Sequence, residues 1–86
     1  MSTEEIRKLL EEGKLVIGYK QAKKSLQQGT AKQLLIAANA PEQEATAMAD
    51  YASMSDAEVI SLDARNDQLG TVCRRPFSIS FLAVTK

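Results

Sequence analysis

Lys14-Leu15-Val16-Ile17-Gly18-Tyr19-Lys20-Gln21-Ala22-Lys23-Lys24 is the stretch on which the reading of this chain turns. Leu15-Val16-Ile17 is short and continuously apolar, as a buried strand is. It ends at Gly18, and helix-compatible sequence follows with lysines at 20, 23 and 24. The first N–H groups of a helix have no internal partners, and that end carries partial positive charge. A phosphate or a base edge can accept from those donors, and the lysines stand where such a ligand would sit. A solvated helix start is the competing reading.

The same alternation runs outward in both directions. Ser2 or Thr3 can cap a first helix, with Glu4 and Glu5 favourable in its first turn and Ile6, Leu9 and Leu10 on one face. Gly13 is a natural stop. The second helix is expected over 20–28, ending at Gly29, and a strand buried on both faces over 32–38. Asn39-Ala40-Pro41 ends that strand and opens a third helix to about Ser53, with Pro41 suited to the first helical position. Ala45, Met48, Ala49 and Ala52 supply its apolar face. Glu58 to Leu62 reads as a strand, and Asn66 to about Cys73 as a short helix. Gly70 within it marks either a close packing contact or a helix end. Arg74-Arg75-Pro76 is a loop, and Phe77 to Val84 alternates as a last strand. The order α-β-α-β-α-β-α-β implies an α/β fold, a three-layer α/β/α sandwich.

Bulk properties bound the function. Eighty-six residues, 1–86, make one small domain, and 44% hydrophobic residues supply an ordinary core. Tryptophan is absent, so that core is mostly aliphatic. Cys73 is the single cysteine; it cannot form an internal disulfide, which points to a reducing compartment. No apolar run approaches the roughly 20 residues of a membrane span. Met1-Ser2-Thr3-Glu4-Glu5 is acidic and polar, unlike a secretory leader, so the expected location is cytoplasmic. Net charge is zero, yet it is segregated. Lys14, Lys20, Lys23, Lys24 and Lys32 bound or fill a segment without acids, and Arg74, Arg75 and Lys86 follow Thr71, again without acids. The acids occupy the first helix and the stretch from Glu42 to Asp67.

Catalytic constellations find little support. With no histidine and one cysteine, no thiolate or imidazole metal cluster can be built, and no loop has oxygen-ligand spacing. Cys73 lacks the histidine base that activates a thiol. Glu42 with Glu44, and Asp56 with Glu58, fall at a helix start and a surface turn, where solvated charge is the simpler reading. Gly18 alone is not a nucleotide fingerprint. No catalytic residue, metal or cofactor is therefore expected. Binding features remain: the corner at 18–24, and Arg74-Arg75-Pro76-Phe77, which sets two guanidinium groups beside an aromatic ring. Cations for phosphates and a flat face for splayed bases suit RNA. The bland reading turns Phe77 into the core.

Four segments resemble a known family in order and spacing. They are Leu15-Val16-Ile17-Gly18 with Gln21 and Lys24; Ile36-Ala37-Ala38-Asn39-Ala40-Pro41; Asp50-Tyr51-Ala52 with Ser55; and Gln68-Leu69-Gly70-Thr71-Val72-Cys73 with Arg75-Pro76-Phe77-Ser78-Ile79-Ser80. Over nearly its whole length the chain resembles the archaeal and eukaryotic large-subunit ribosomal protein thirty family of the kink-turn RNA-binding superfamily. The resemblance implies a four-stranded mixed sheet between helices and a non-enzymatic role on ribosomal RNA. The RNA would be a kink-turn, a sharply bent helix–bulge–helix with sheared G·A pairs. It further implies neighbouring ribosomal proteins as partners, with no membrane and no small-molecule substrate, and a ribosome-bound location.

Carried over, the implied RNA-binding residues are Gly18, Tyr19, Lys20, Gln21, Lys24, Asn39, Arg74, Arg75, Pro76 and Phe77. Gly18 would admit the RNA to the backbone, and Lys20 and Gln21 would contact the G·A base edges. Lys24 would hold phosphate or a guanine edge. Asn39 would support the corner or touch RNA. Arg74 and Arg75 would grip phosphate, with Pro76 and Phe77 against an unstacked base. Many members have asparagine at the position of Lys20 and arginine or glutamate at that of Gln21; the Lys-Gln pair looks like a bacterial branch. The alternatives are a sister protein of a guide-RNA particle or ribonuclease P, and, in a different class, a small anionic-ligand domain or enzyme.

Overall fold

The apolar runs and amphipathic segments condense into four helices and four strands in strict alternation in the computed structural model, which describes residues 2–86. Met1, which opens the polar start noted above, lies outside the described residues. The elements are α1 (Thr3–Glu11), β1 (Leu15–Ile17), α2 (Tyr19–Gln27), β2 (Ala31–Ile36), α3 (Glu42–Met54), β3 (Glu58–Ser61), α4 (Asn66–Val72) and β4 (Phe81–Thr85). Ser2 caps α1, its hydroxyl accepting from the Glu5 N–H at 3.3 Å.

The strands form one sheet in the order β1-β4-β2-β3. β4 is antiparallel to both of its neighbours, and β2 and β3 are parallel, so the sheet is mixed. Side chains alternate between its faces with the period of two that a strand requires. Leu35, Leu82 and Val84 pack with Ile6 of α1 and Leu69 of α4. Leu34, Ile36, Phe81 and Ala83 pack with Ala22 and Leu26 of α2 and Met48 and Ala52 of α3. The sandwich thus has α1 and α4 on one face and α2 and α3 on the other.

α2 runs over Tyr19–Gln27 and β3 ends at Ser61, each a residue from expectation, and three further differences bear on the site. β2 runs over Ala31–Ile36, not 32–38. Beyond Ile36 the chain leaves the ladder: the Ala37 N–H donates to the Ser80 carbonyl and the Ala38 N–H to that of Ala64. Pro41 is the residue before α3 rather than its first helical residue; its ψ of 128° is extended. The largest shift is in β4, which begins at Phe81 and not at Phe77. The Ile79 N–H donates to the Asn66 carbonyl, so this segment spends its donor on the start of α4 instead of on a strand. Gly70 shows why the chain is held there. A Cβ on Gly70 would collide with the Phe77 carbonyl oxygen and lie 3.2 Å from its carbon. The close packing contact is real, and it is backbone against backbone.

Topology sets the location of any site. β1, β2 and β3 all run one way and β4 runs against them between β1 and β2. The carboxyl ends of the first three strands therefore share one end of the sheet with the amino end of β4. Gly18, Asn39 and the segment 74–80 all leave or enter the sheet at that end. In open α/β sheets this is where ligands bind.

Candidate nucleic-acid interface

The corner after β1 is built by one glycine. Gly18 has φ 100° and ψ 158°, a backbone region that side-chain-bearing residues avoid. Nothing lies within 4 Å of where its Cβ would stand, so the space beside the backbone is open to a ligand. Gly18 also provides no side-chain acceptor, and no side chain caps α2. The first internal bond of this helix is the Ala22 N–H to the Gly18 carbonyl at 2.9 Å. Among the described residues, the N–H groups of Tyr19, Lys20 and Gln21 have no backbone acceptor. These are the unpaired donors that a helix start offers to an anion.

Helical spacing sorts the side chains that follow. Ala22, Ser25 and Leu26 are buried. Lys20, Gln21 and Lys24 are exposed on the other side, and Gln21 and Lys24 line a hollow of about 220 Å³ beside Val16 and Thr85. Lys23 departs from this group: its Nζ lies 5.3 Å from the centre of the Tyr51 ring, a cation–π contact with α3. The Tyr19 ring packs edge-on against Phe81, with centroids 5.5 Å apart, and so belongs to the core. Its contribution to the site is its backbone N–H. Lys14 pairs with Glu12 at 3.8 Å, and Lys32 lines a groove with Glu5 and Glu12 at the opposite end of the sheet. Of the five lysines in the acid-free segment, the fold leaves Lys20 and Lys24 free at the corner.

The loop after α4 forms the second half. All four helices end with the same pair of backbone bonds, from the second residue past the cap residue and from the first. After α4 these are the Arg75 N–H to the Gly70 carbonyl at 2.9 Å and the Arg74 N–H to that of Thr71 at 3.0 Å. The motif requires a left-handed residue. α1 and α2 use Gly13 and Gly29, both at φ 73°, whereas α4 uses Arg74 at φ 57°. An arginine there costs roughly 1–2 kcal/mol against a right-handed conformation. Arg75 folds back, its guanidinium donating to the Cys73 carbonyl at 3.4 Å. Phe77 is 55% exposed, which excludes the reading that buries it in the core. With Asp67, Thr71, Arg75, Pro76 and Ser78 it lines a groove of about 320 Å³.

The two halves meet. The Gly18 N–H donates to the carbonyl of Phe81 at 3.1 Å, so the corner is bonded to the residue at which the loop enters β4. Among the described residues the ion pairs are Lys14–Glu12 and Arg65–Asp67, and no carboxylate neutralises Lys20, Lys24, Arg74 or Arg75. A hollow of about 520 Å³ between the start of α1 and α4 is lined by Thr3, Asp63, Ala64, Gln68, Thr71 and Val72, none of them basic.

Asn39 is not free. Its Oδ1 accepts the Asn66 backbone N–H at 2.7 Å and its Nδ2 donates to Asn66 Oδ1 at 3.1 Å. Asn66 and Ser80, which joins it at 3.4 Å, are site residues that the sequence reading did not name. The Asn39–Asn66 link spans 27 residues and the Asn66–Ser80 link 14, and local pattern carries no signal for either. Cys73 is fully buried. Burial pushes its thiol above the ordinary range, and the nearby Arg75 only partly offsets this. A thiol held protonated is a poor nucleophile.

The fold and this surface define a class: a small α/β domain with an open, cation-flanked helix start and an exposed aromatic–arginine loop at one sheet end. The chain belongs to the Ribosomal protein L7Ae/L30e/S12e/Gadd45 family, whose pattern it matches over residues 2–86. It is 41% identical over 75 residues to the large ribosomal subunit protein eL30B of Schizosaccharomyces pombe, covering 87% of this chain and 64% of that one. It is 32% identical over 81 residues to eL30 of Archaeoglobus fulgidus, covering 94% of this chain and 90% of that one. The chain thus spans just under two thirds of the first relative and most of the second. A solved structure, the Giardia lamblia 15.5kD RNA binding protein, superposes with a TM-score of 0.82 at 17% identity, over 94% of this chain and 68% of that one. At that identity the likeness speaks for the fold.

Proposed function

We propose that this protein is a structural component of the large ribosomal subunit that binds ribosomal RNA at a kink-turn. The corner at 18–24 takes the sheared G·A pairs, and the loop at 74–77 takes the bases turned out of the bulge. The observation that carries the reading is the bond from Gly18 to Phe81, which joins an uncapped helix start to the end of an exposed aromatic–arginine loop. Cations and helix donors supply affinity that is blind to sequence. Discrimination then comes from shape, since only a bent, opened RNA presents base edges to one half and unstacked bases to the other. Acids share this end of the sheet, with Glu42 and Glu44 in the first turn of α3. They steer the RNA backbone toward the side of α2.

The relatives at 41% and 32% identity are named as large-subunit ribosomal proteins, which favours the ribosomal branch over a guide-RNA particle or ribonuclease P. Those names also accord with a non-enzymatic role and with a ribosome-bound, cytoplasmic location. Neighbouring ribosomal proteins are the remaining partners of this reading.

Two substitutions test the loop. Phe77→Ala should weaken binding to a bulged kink-turn RNA by about 1–3 kcal/mol, the worth of one stacked base, and leave binding to plain duplex nearly unchanged. Equal losses on both RNAs, in a gel-shift titration, would remove Phe77 from the base-contacting set. Arg74→Gly should separate stability from binding. Glycine relieves the left-handed strain and loses part of that gain to its freer unfolded chain, for a net rise of about 1 kcal/mol in unfolding free energy. RNA affinity should fall as a phosphate contact is lost. A variant that is both less stable and unchanged in affinity would show that Arg74 serves the fold alone.

A further inference from the structure

We infer that Asn66 is a positioning residue for the RNA-binding loop, and that Asn39 acts through it. This rests on the function proposed above.

Every polar group of Asn66 is engaged, and its bonds reach two separate segments, the turn at Asn39 and the loop end at Ile79 and Ser80. Its backbone N–H and side-chain Oδ1 pair with the two ends of the Asn39 amide, at 2.7 and 3.1 Å. Its Nδ2 donates to Ser80 Oγ at 3.4 Å, and its carbonyl accepts the Ile79 N–H at 2.9 Å. Ser80 in turn accepts the Ala37 N–H at 2.9 Å, which closes a ring of bonds through the turn after β2. The next residue, Phe81, accepts the Gly18 N–H. A continuous path therefore runs from the turn at 37–39, through Asn66 and the end of the loop, to the corner.

The start of α4 needs less than this. The Arg65 N–H is already satisfied by Gln68 Oε1 at 2.8 Å, and Asn39 Oδ1 takes the next donor. The remaining side-chain bonds of Asn66 leave its own helix and fix the loop against the sheet end. A loop held in place before the ligand arrives spends less of its interaction free energy on ordering. The Asn39 amide spends one Nδ2–H and one Oδ1 lone pair on this ring, which fixes its orientation and leaves its second N–H and second lone pair open.

Asn66→Ala tests the inference gently. It keeps the backbone bonds to Asn39 and Ile79 and removes only the two side-chain bonds. In the free variant, hydrogen exchange at Ile79 and Ala37 should quicken while exchange in β2 and β4 stays slow. Affinity for a kink-turn RNA should fall about tenfold, the scale of one to two lost hydrogen bonds, with affinity for the same RNA carrying Watson–Crick pairs in place of G·A within about twofold of the parent. Ser80→Ala, which removes the loop side of one bond alone, should shift both readouts the same way by less. The double variant Asn39→Ala with Asn66→Ala should lose less affinity than the product of the two single losses, because the Asn39 Nδ2 to Asn66 Oδ1 bond is removed by either change.

Unchanged kink-turn affinity in a variant whose loop amides exchange faster would overturn the inference and leave the proposed function standing. Equal losses on both RNAs would do the same by reducing Asn66 to a stabiliser. Losses that multiply in the double variant would mean that Asn39 does not act through Asn66, and would overturn that half of the inference. A parent protein that fails to distinguish the two RNAs would instead overturn the proposed function, and this inference with it.

Discussion

Lys20→Ala and Lys24→Ala are each expected to weaken kink-turn binding by about 1–3 kcal/mol, the range of a lost base or phosphate contact. The two lysines stand one helical turn apart on the exposed side of α2, beside backbone donors that no side chain caps. Neither has a carboxylate partner among the described residues, so substitution removes positive charge without breaking an ion pair of the fold. Salt dependence separates their roles. A residue that neutralises a phosphate lowers the slope of log affinity against log salt by about 1 when removed, whereas a base contact leaves the slope unchanged. Lys24 should show the first behaviour and Lys20 the second. Lys23 is the internal control. Its ammonium lies over Tyr51, so Lys23→Ala should cost about 0.5–1 kcal/mol of fold stability and little affinity. If all three lysines lose affinity equally, the sorting of α2 into a packed side and a binding side is wrong.

Gly70→Ala should lower unfolding free energy by about 1–3 kcal/mol and also lower kink-turn affinity. The sign is informative, because at an open helical position alanine is favoured over glycine by about 1 kcal/mol. Here the added methyl, fixed to the helix backbone, meets the backbone carbonyl group of Phe77. No rotamer change relieves it; either α4 or the loop must move. The loop is the softer element, and moving it carries Arg75, Pro76 and Phe77 away from the corner. Thermal unfolding and a titration on one sample decide the matter. A rise in melting temperature would mean that the loop does not rest on Gly70, and the second half of the interface would lose its support.

Element order and layering were legible because each strand is a short apolar run, and each helix shows a face such as Ile6-Leu9-Leu10 or Ala22-Leu26. The corner was legible for the same local reason: Gly18 stands between a strand and a helix whose start lacks an acceptor. What escaped the sequence depends on distant partners. Phe77 to Ser80 alternate as a strand would, yet Ile79 bonds to Asn66 and Ser80 to Ala37, so the ladder begins only at Phe81. Charge segregated along the chain did not become one charged face. Lys14 found Glu12 and Lys23 found Tyr51, and Lys32 points to the other end of the sheet. The conformation of Arg74 was likewise hidden, since nothing in Cys73-Arg74-Arg75 announces a left-handed residue that two other helices assign to glycine.

The claim at the centre is that two halves at one sheet end recognise the shape of a kinked RNA. Its most direct test is the affinity of the full chain for one kink-turn RNA against the same RNA with its sheared G·A pairs replaced by Watson–Crick pairs, at one salt concentration. Binding should be markedly tighter to the kink-turn, by at least the about 1–3 kcal/mol assigned to a single base contact. Equal affinity for the two would contradict the account, leaving the cations at 20, 24, 74 and 75 as a surface that binds RNA without reading its shape.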